Sequence, residues 1–382
     1  MPHGFIAVLL ICGYAVAAAA TIYAAVALWR VWSLLPARPF DGPTPPITVL
    51  KPVRGAEPNL AANLRSFCEQ DYPEFQILFG IREPHDAAVP IVERVVRDFA
   101  HRGATLVVDP TVIGSNYKIA NVANLVGRAR HDILVVADAD CLVGRTYLRD
   151  IAAAFADPGV GAVTCLYKGK ALTSRIADRL GAMFINEVFL PSVRVALLTE
   201  PLRYCFGATM AVRRGVLESI GGMKRLASFL ADDYMLGNLV AARGLKVALA
   251  THIVDVQVNE PSLKDLLGHE LRWARTMRTV RPVGYGLSVL TDAIPITMLW
   301  ALATGFAGWA LILAGLALFF RALTHFAARR RLAIDAPATP WLVPVRDLLT
   351  FAIRLASFTG RRVAWQNHDF TVQPDGQMVP RK

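Results

Sequence analysis

Three short stretches of this sequence carry side chains that could do chemistry. The first is Asp138-Ala139-Asp140, two carboxylates one residue apart directly after the unbroken apolar run Ile133-Leu-Val-Val-Ala137. Such a run reads as a strand buried on both faces, and two acids at the end of a buried strand need a counter-charge. A divalent cation shared with substrate phosphates supplies one. An ordinary surface turn is the plainer alternative, while a calcium loop is disfavoured because its glycine and third acid are missing. The second stretch is Leu230-Ala231-Asp232-Asp233-Tyr234, where adjacent acids open an otherwise apolar helix leading to Leu239. One acid is accounted for as an N-cap favoured by the helix dipole. The other, facing a cleft, suits a general base that takes the proton of an acceptor hydroxyl. The third is His269-Glu270-Leu271-Arg272-Trp273, followed by Arg275 and Arg278. A basic helix on a membrane surface has the same composition. Combined with the two acid sites, the arginine suits a departing diphosphate and the indole an acceptor at the bilayer edge.

These residues need a scaffold. Between Pro46 and Ala250, short β-rich runs alternate with helix-period runs, which predicts a sheet of mostly parallel strands covered by helices on both faces. Strands are expected at 47–50, 75–79, 105–108 and 133–137, with a helix near 60–69 and another carrying Lys118, Asn121 and Asn124. Asp86 is the expected N-cap of a helix whose buried face is Val89, Val92, Val96 and Phe99. Ligands of open α/β sheets bind beyond the carboxyl ends of the strands. Arg82, Glu83 and Asp86 after the second strand should therefore share a cleft with Asp138 and Asp140 after the fourth.

The remainder of the chain belongs beside lipid. Of the 382 residues 54% are apolar and 19% charged, and 4–29 carry no charged side chain. That length exceeds the ~20 residues a helix needs to cross a bilayer, and it lacks the basic start of a signal peptide. Residues 283–322 read as a hairpin of two spans turning near Thr304 to Gly308, with Asp292 the only charge before Arg321; one span plus an interfacial helix is the alternative. The arginines that follow each apolar segment place 30–282 on the cytoplasmic side of the membrane. Between the anchor and the domain, 30–46 form a proline-rich linker, the domain itself covers 47–260, and 261–282 an interfacial helix. The C-terminal segment 341–382 is expected to be membrane-associated. Its stretch 341–358, which carries Arg346, Asp347 and Arg354, should lie on the membrane surface. The largely apolar 180–198 fits either a lipid-facing lid or a packed core helix. The net charge of +11 gathers beside apolar segments, which favours anionic headgroups over nucleic acid. Five scattered cysteines indicate neither a zinc site nor a disulfide framework.

Taken together, the three sites resemble the Asp, Asp, Asp, (Gln/Arg)-x-x-Arg-Trp pattern of family 2 and family 21 glycosyltransferases. The likeness to ceramide glucosyltransferases, and more closely to the bacterial glycosyltransferases of hopanoid biosynthesis, runs through Val49-Leu50-Lys51-Pro52, Gly55-x-Glu57-Pro58-Asn59-Leu60 and Phe67-x-x-Gln70-Asp71-Tyr72-Pro73. It continues through Asn116-x-Lys118-x-x-Asn121, Cys205-Phe206-Gly207, Ala231-Asp232-Asp233-Tyr234 and Arg272-Trp273. The resemblance implies a GT-A nucleotide-sugar transferase domain and transfer of a hexose or N-acetylhexosamine from a UDP-sugar to a hydroxyl of a membrane lipid. It further implies Mg²⁺ or Mn²⁺ at Asp138 and Asp140, Asp233 as general base, and Arg272 and Trp273 at the diphosphate and acceptor end. Glu83, Asp86, Lys118, Asn121, Asp232 and His269 would contact the donor. Glu83 stands where the family usually has its first Asp, and His269 where Gln or Arg begins the last motif. A processive polysaccharide synthase, a polyprenyl-phosphate sugar transferase and an inactive membrane scaffold are the competing readings.

Overall fold

The computed structural model describes residues 3–34, 40–360, 362–365, 368–373 and 376–380. Part of the expected linker, 35–39, and the ends of the C-terminal segment lie outside the described residues. The chain divides into two compact units. The first comprises 1–35, 169–200 and 258–367, the second 36–168, 201–257 and 368–382.

The second unit is built on an eight-stranded sheet: β1 (Ile47–Pro52), β2 (Phe75–Ile81), β3 (Ala104–Val108), β4 (Ile133–Val136), β5 (Cys141–Leu142), β6 (Val160–Ala171), β7 (Met210–Arg213) and β8 (Lys246–Val258). Their order is β3-β2-β1-β4-β7-β6-β8-β5. The first four strands pair in parallel, with Val49 opposite Ile77 on one side and Val135 on the other. The helices Leu60–Cys68, Val89–Asp98 and Tyr117–Val126 make the crossovers that parallel pairing requires. Beyond β4 the pairs β4–β7, β7–β6 and β5–β8 are antiparallel, while β6 and β8 run parallel, Lys246 bonding to Gly159 at one end and Leu172 to Val258 at the other, so the sheet is mixed. Both faces of the parallel half are covered, since Ile47, Val49, Leu50, Ile77, Leu78, Leu134 and Val135 are all buried. This is why those strands read as continuous apolar runs rather than alternating ones.

Strand order reverses at β1, with β2 and β3 on one side and β4 on the other. Such a switch point opens a crevice beyond the carboxyl ends of the two central strands. The cap of the helix after β2 falls two residues later than expected. Ala88 precedes Val89–Asp98, while the Asp86 carboxylate accepts from the Ala88 and Gly55 amides at 2.8 Å each.

The other unit is helical. His3–Trp32 is one helix, and Gly308–Arg331 another; both are long and apolar enough to cross a membrane. The expected first arm of the hairpin is not one helix. Pro282–Thr291 and Ala293–Ala303 meet at a 67° bend, which makes three spans if the bent pair is counted as one. Pro295 gives a physical reason: its ring clashes with the carbonyl four residues back, so the preceding turn cannot run through it. The turn into the next helix falls at Gly305 and Phe306, both with positive φ. Small residues let these helices approach, with Ala20, Ala24, Ala293 and Ala317 buried together. At Gly13 even a Cβ would stand 2.1 Å from the Trp300 ring.

Residues 176–196 settle into a packed helical run with a π-helical stretch at Ile185–Phe189. Asn186 clamps the backbone of Gly169 with bonds of 2.8 and 2.9 Å, and Glu187 is buried against His325 at 2.7 Å. The helix Leu342–Ser357 departs from the surface helix expected of its charges. Arg346, Asp347 and Arg354 are buried inward, while Val345, Leu348 and Leu355 are exposed. Charge is tolerated there because each group meets a partner: Arg346 with Glu270, Asp347 with Arg321 and Arg354 with Asp292, at 2.7, 2.7 and 2.6 Å. The end of the expected membrane-associated segment also differs, since 368–382 cluster with the sheet-bearing unit.

Candidate active site

Three segments of the sheet-bearing unit converge beyond β1 and β4. Asp138 follows β4, where the fully buried Lys51 of β1 donates to its carbonyl at 2.6 Å and lies 3.4 Å over the Phe67 ring. Lys118 sits in the first turn of Tyr117–Val126, a helix capped by the Asn116 side chain accepting from the Ile119 amide. Asp232 and Asp233 both lie in the first turn of Asp232–Ala242. Neither is its N-cap; Ala231 holds that position without a side-chain bond.

Lys118 joins these parts. Its ammonium is 2.6 Å from the Asp138 carboxylate and 3.8 Å from that of Asp232. Asn116 donates to the other Asp232 oxygen at 3.1 Å, and Asp233 accepts from the Tyr234 amide at 2.7 Å. Gly207 faces the same space. A Cβ there would lie 3.5 Å from Asp233 Oδ2, 3.6 Å from Asp138 Oδ2 and 4.0 Å from Lys118 Nζ, so a bare backbone leaves the carboxylates room for a ligand.

The electrostatics are lopsided. Burial pushes the Asp233 carboxyl up to about 7, with repulsion from Asp232 adding to it. Burial and Asp138 raise Asp140 to about 6, and Asp232 is raised by burial against the pull of Lys118. Glu57, exposed in the loop after β1, is pushed up by loss of hydration and by the neighbouring Asp140 and Asp138. Burial works against the Lys118 ammonium, yet Asp138, Asp232 and Asp233 outweigh it and hold that group above the ordinary lysine value. Lys51 is lowered to about 8 by burial, which Cys141, Asp140 and Asp138 oppose. The surplus is negative, and a cationic or phosphate-bridging ligand would relieve it.

Among the described residues no group of three or more acids, histidines or cysteines is arranged to hold a metal by itself. The donor set still fits a hard divalent ion, which takes one or two carboxylates and completes its shell with substrate phosphate and water. Asp138 and Asp140 are the carboxylates that would serve, and the buried Oδ2 of Asp232, with Lys118 at 3.8 Å but no hydrogen bond, has further acceptor capacity.

Other expected site residues take different places. Glu83 is exposed after β2. Asp86 is engaged by two backbone amides, and Asn121 is committed to the β2 backbone, donating to the Gly80 carbonyl at 2.8 Å. His269, Arg272 and Trp273 belong to the helical unit, on Leu263–Val280. There His269 pairs with Glu260 at 2.8 Å and its ring lies 4.2 Å from that of Trp273, which stacks on Phe184. Burial lowers the Arg272 guanidinium, Glu260 opposing. Sequence reasoning did not single out Lys51, Glu57, Asn116 and Gly207 as parts of the site. All four stood inside the resemblance motifs, which was the signal that could have found them.

A mixed sheet with this switch point and acid cluster, in a chain with helices long and apolar enough to cross a membrane, has the architecture of the GT-A type of glycosyltransferase. A mannosyltransferase from Pyrobaculum calidifontis, solved in complex with GDP-Man and Mn²⁺, superposes with a TM-score of 0.52 over 91% of this chain and 99% of that one, at 21% identity. Residues 12–378 match glycosyl transferase family 21, and the chain belongs to that family. Among its relatives, ceramide glucosyltransferase 1 of Caenorhabditis elegans is 22% identical over 90% of this chain and 75% of that protein. Ceramide glucosyltransferase 3 of the same organism is 24% identical over 68% and 57%.

Proposed function

We propose that this transferase moves a hexose or N-acetylhexosamine from a UDP-sugar to a hydroxyl of a membrane lipid of the hopanoid or ceramide type, with inversion, at a bacterial inner membrane with the catalytic unit in the cytoplasm. The observation that carries the reading is the convergence of Asp138, Asp232 and Asp233 on Lys118 at the switch point of a chain in family 21 that also bears membrane-crossing helices. Relatives named as ceramide glucosyltransferases support a lipid acceptor.

Asp138 and Asp140 would hold Mg²⁺ or Mn²⁺, which neutralises charge on the donor diphosphate when bound. Lys118 orients that diphosphate as a fixed cation. Asp233, raised to about 7, is matched to accept the proton of the acceptor hydroxyl near neutral pH as that oxygen attacks the anomeric carbon and UDP departs. Arg272 and Trp273 are assigned to the diphosphate and the acceptor, and Glu83, Asp86, Asn121, Asp232 and His269 to donor contacts. For Asp86 and Asn121 the assignment is to backbone that they hold in place.

The test is mass spectrometry of total lipids from cells with and without the protein, with Asp233→Asn alongside. A hexosyl or N-acetylhexosaminyl lipid made only by the active form supports the reading, and its fragments separate hopanoid from ceramide. No new glycolipid, or equal yield from Asp233→Asn, overturns it in favour of polymer synthesis, a phosphate acceptor that needs no base, or a scaffold.

A further inference from the structure

One part of the chain has no share in the chemistry so far: residues 368–373 and 376–380, which follow the helical unit in sequence yet cluster with the sheet-bearing one. His368–Val372 and Met378–Pro380 pair antiparallel, Val372 opposite Met378, and the turn is closed by the Gln373 amide donating to the Gln377 carbonyl at 2.9 Å. Phe370 and Met378 are each only 3% exposed, so the hairpin is packed down.

Where it packs is informative. The Met378 amide donates to the Ser228 carbonyl at 2.8 Å, while the Met378 carbonyl accepts from the Ser115 hydroxyl at 3.1 Å. Gln377 forms a bridge with Phe229. One residue thus ties two loops, and those loops lead into the acid site from different directions. The first runs through Asn116 to Lys118, the second into Asp232 and Asp233. They are already joined on their inner side, by the Asn116 amide to Ala227 at 2.7 Å and the Asn116 side chain to Phe229 at 2.8 Å and Asp232 at 3.1 Å. At Gly114, whose φ is +65°, a Cβ would stand 2.3 Å from the Ala227 carbonyl, so the two loops touch backbone to backbone.

The helix Asp232–Ala242 has no side-chain cap, so its first turn, which carries both acids, depends on the loop ahead of it for its position. Loops of this kind lie at the low end of local stability unless something outside holds them.

We propose that residues 376–380 form a strap across the 114–116 and 227–231 loops that positions Lys118 against Asp232 and Asp233. The strap is a positioning segment: it touches neither the acids nor the ammonium, and acts through the backbone that carries them. This rests on the proposed function only in that Asp233 is read there as the base.

The experiment compares the full chain in detergent with a chain ended after Gln373 and with full-length Met378→Pro, which lacks the amide donor. Amide hydrogen exchange over 227–235 is read alongside kcat and donor KM. Both variants should exchange about tenfold faster over 227–235 and lose about tenfold in kcat, the worth of one or two hydrogen bonds, with donor KM within about twofold. Exchange over β1 to β4 should stay as in the full chain, and a synthetic peptide of residues 368–382 should restore both readouts to the shortened chain. Unchanged exchange at 227–235, faster exchange with unchanged kcat, or protection lost throughout β1 to β4 in both variants would each overturn the strap. A full chain with no transferase turnover overturns the proposed reaction instead, and exchange over 227–235 then decides whether the strap holds the loops.

Discussion

Both units of this protein bury carboxylates, and they treat them differently. In the helical unit each buried acid has a basic partner of its own. Glu270 receives two bonds of 2.7 Å from Arg346, Asp347 is held by Arg321, Asp292 by Arg354, and Glu187 by His325. In the sheet-bearing unit Asp138, Asp140, Asp232 and Asp233 have, among the described residues, only Lys118 and Lys51 between them. A matched pair has its charge settled by the fold, so it serves to hold helices in register. A surplus of acids at a crevice is settled only when something else arrives, and the proposed function puts binding and reaction in the unit that keeps one.

The sharpest way to break this contrast is at the base. Asp233→Asn keeps the shape of the side chain and should lower turnover by roughly 10²-fold or more while the donor still binds, measured by product formation beside UDP titration. Next is the matched side. Arg346→Met leaves Glu270 buried without a partner and should cost about 3–5 kcal/mol of stability, and the double change with Glu270→Leu should recover much of it. Thermal unfolding in detergent checks both, and a mild single mutant would mean that the pair holds little.

A third prediction concerns pH. Asp233 and Asp140 are raised in the fold to about 7 and about 6, above the ~3.9 of an unfolded aspartate. The fold therefore favours their protonated forms, and the stability this brings is full in acid and lost as pH rises through about 6 to 7. Without divalent ion the protein should unfold more easily at pH ~8 than at pH ~5, by on the order of 1–2 kcal/mol, with Mn²⁺ closing the gap. The smallest effect is expected at Gly207. Its Cβ would make only ordinary contacts of 3.5 to 4.0 Å, so Gly207→Ala should fold normally. The methyl would occupy ligand space, lowering kcat/KM by about tenfold.

How much of this could be read from residues alone depended on how local the cause was. The strands were legible because burial on both faces leaves an apolar run such as 133–137, and Asp138 was legible because it breaks that run. Acids at a helix start were equally plain, although the cap assigned to one of them fell to Ala231. What escaped were pairings across long separations. Arg346, Asp347 and Arg354 looked like the polar face of a surface helix because their partners lie 76, 26 and 62 residues away. Lys51 looked like part of a strand end, since nothing nearby in sequence says that it would reach the carbonyl of Asp138, 87 residues on. The antiparallel pairs of the sheet were missed for a related reason: β7 and β8 are reached through helices, and spacing does not tell which way a strand then runs.

The helix Leu342–Ser357 also bears on how the protein is made. A segment carrying two arginines and an aspartate is a poor candidate for entering a bilayer unaided. Yet Glu270, Asp292 and Arg321, which neutralise those charges, all leave the ribosome earlier. The order of synthesis thus delivers the most costly helix last, when its partners are in place, and biogenesis can proceed by docking it against a finished bundle.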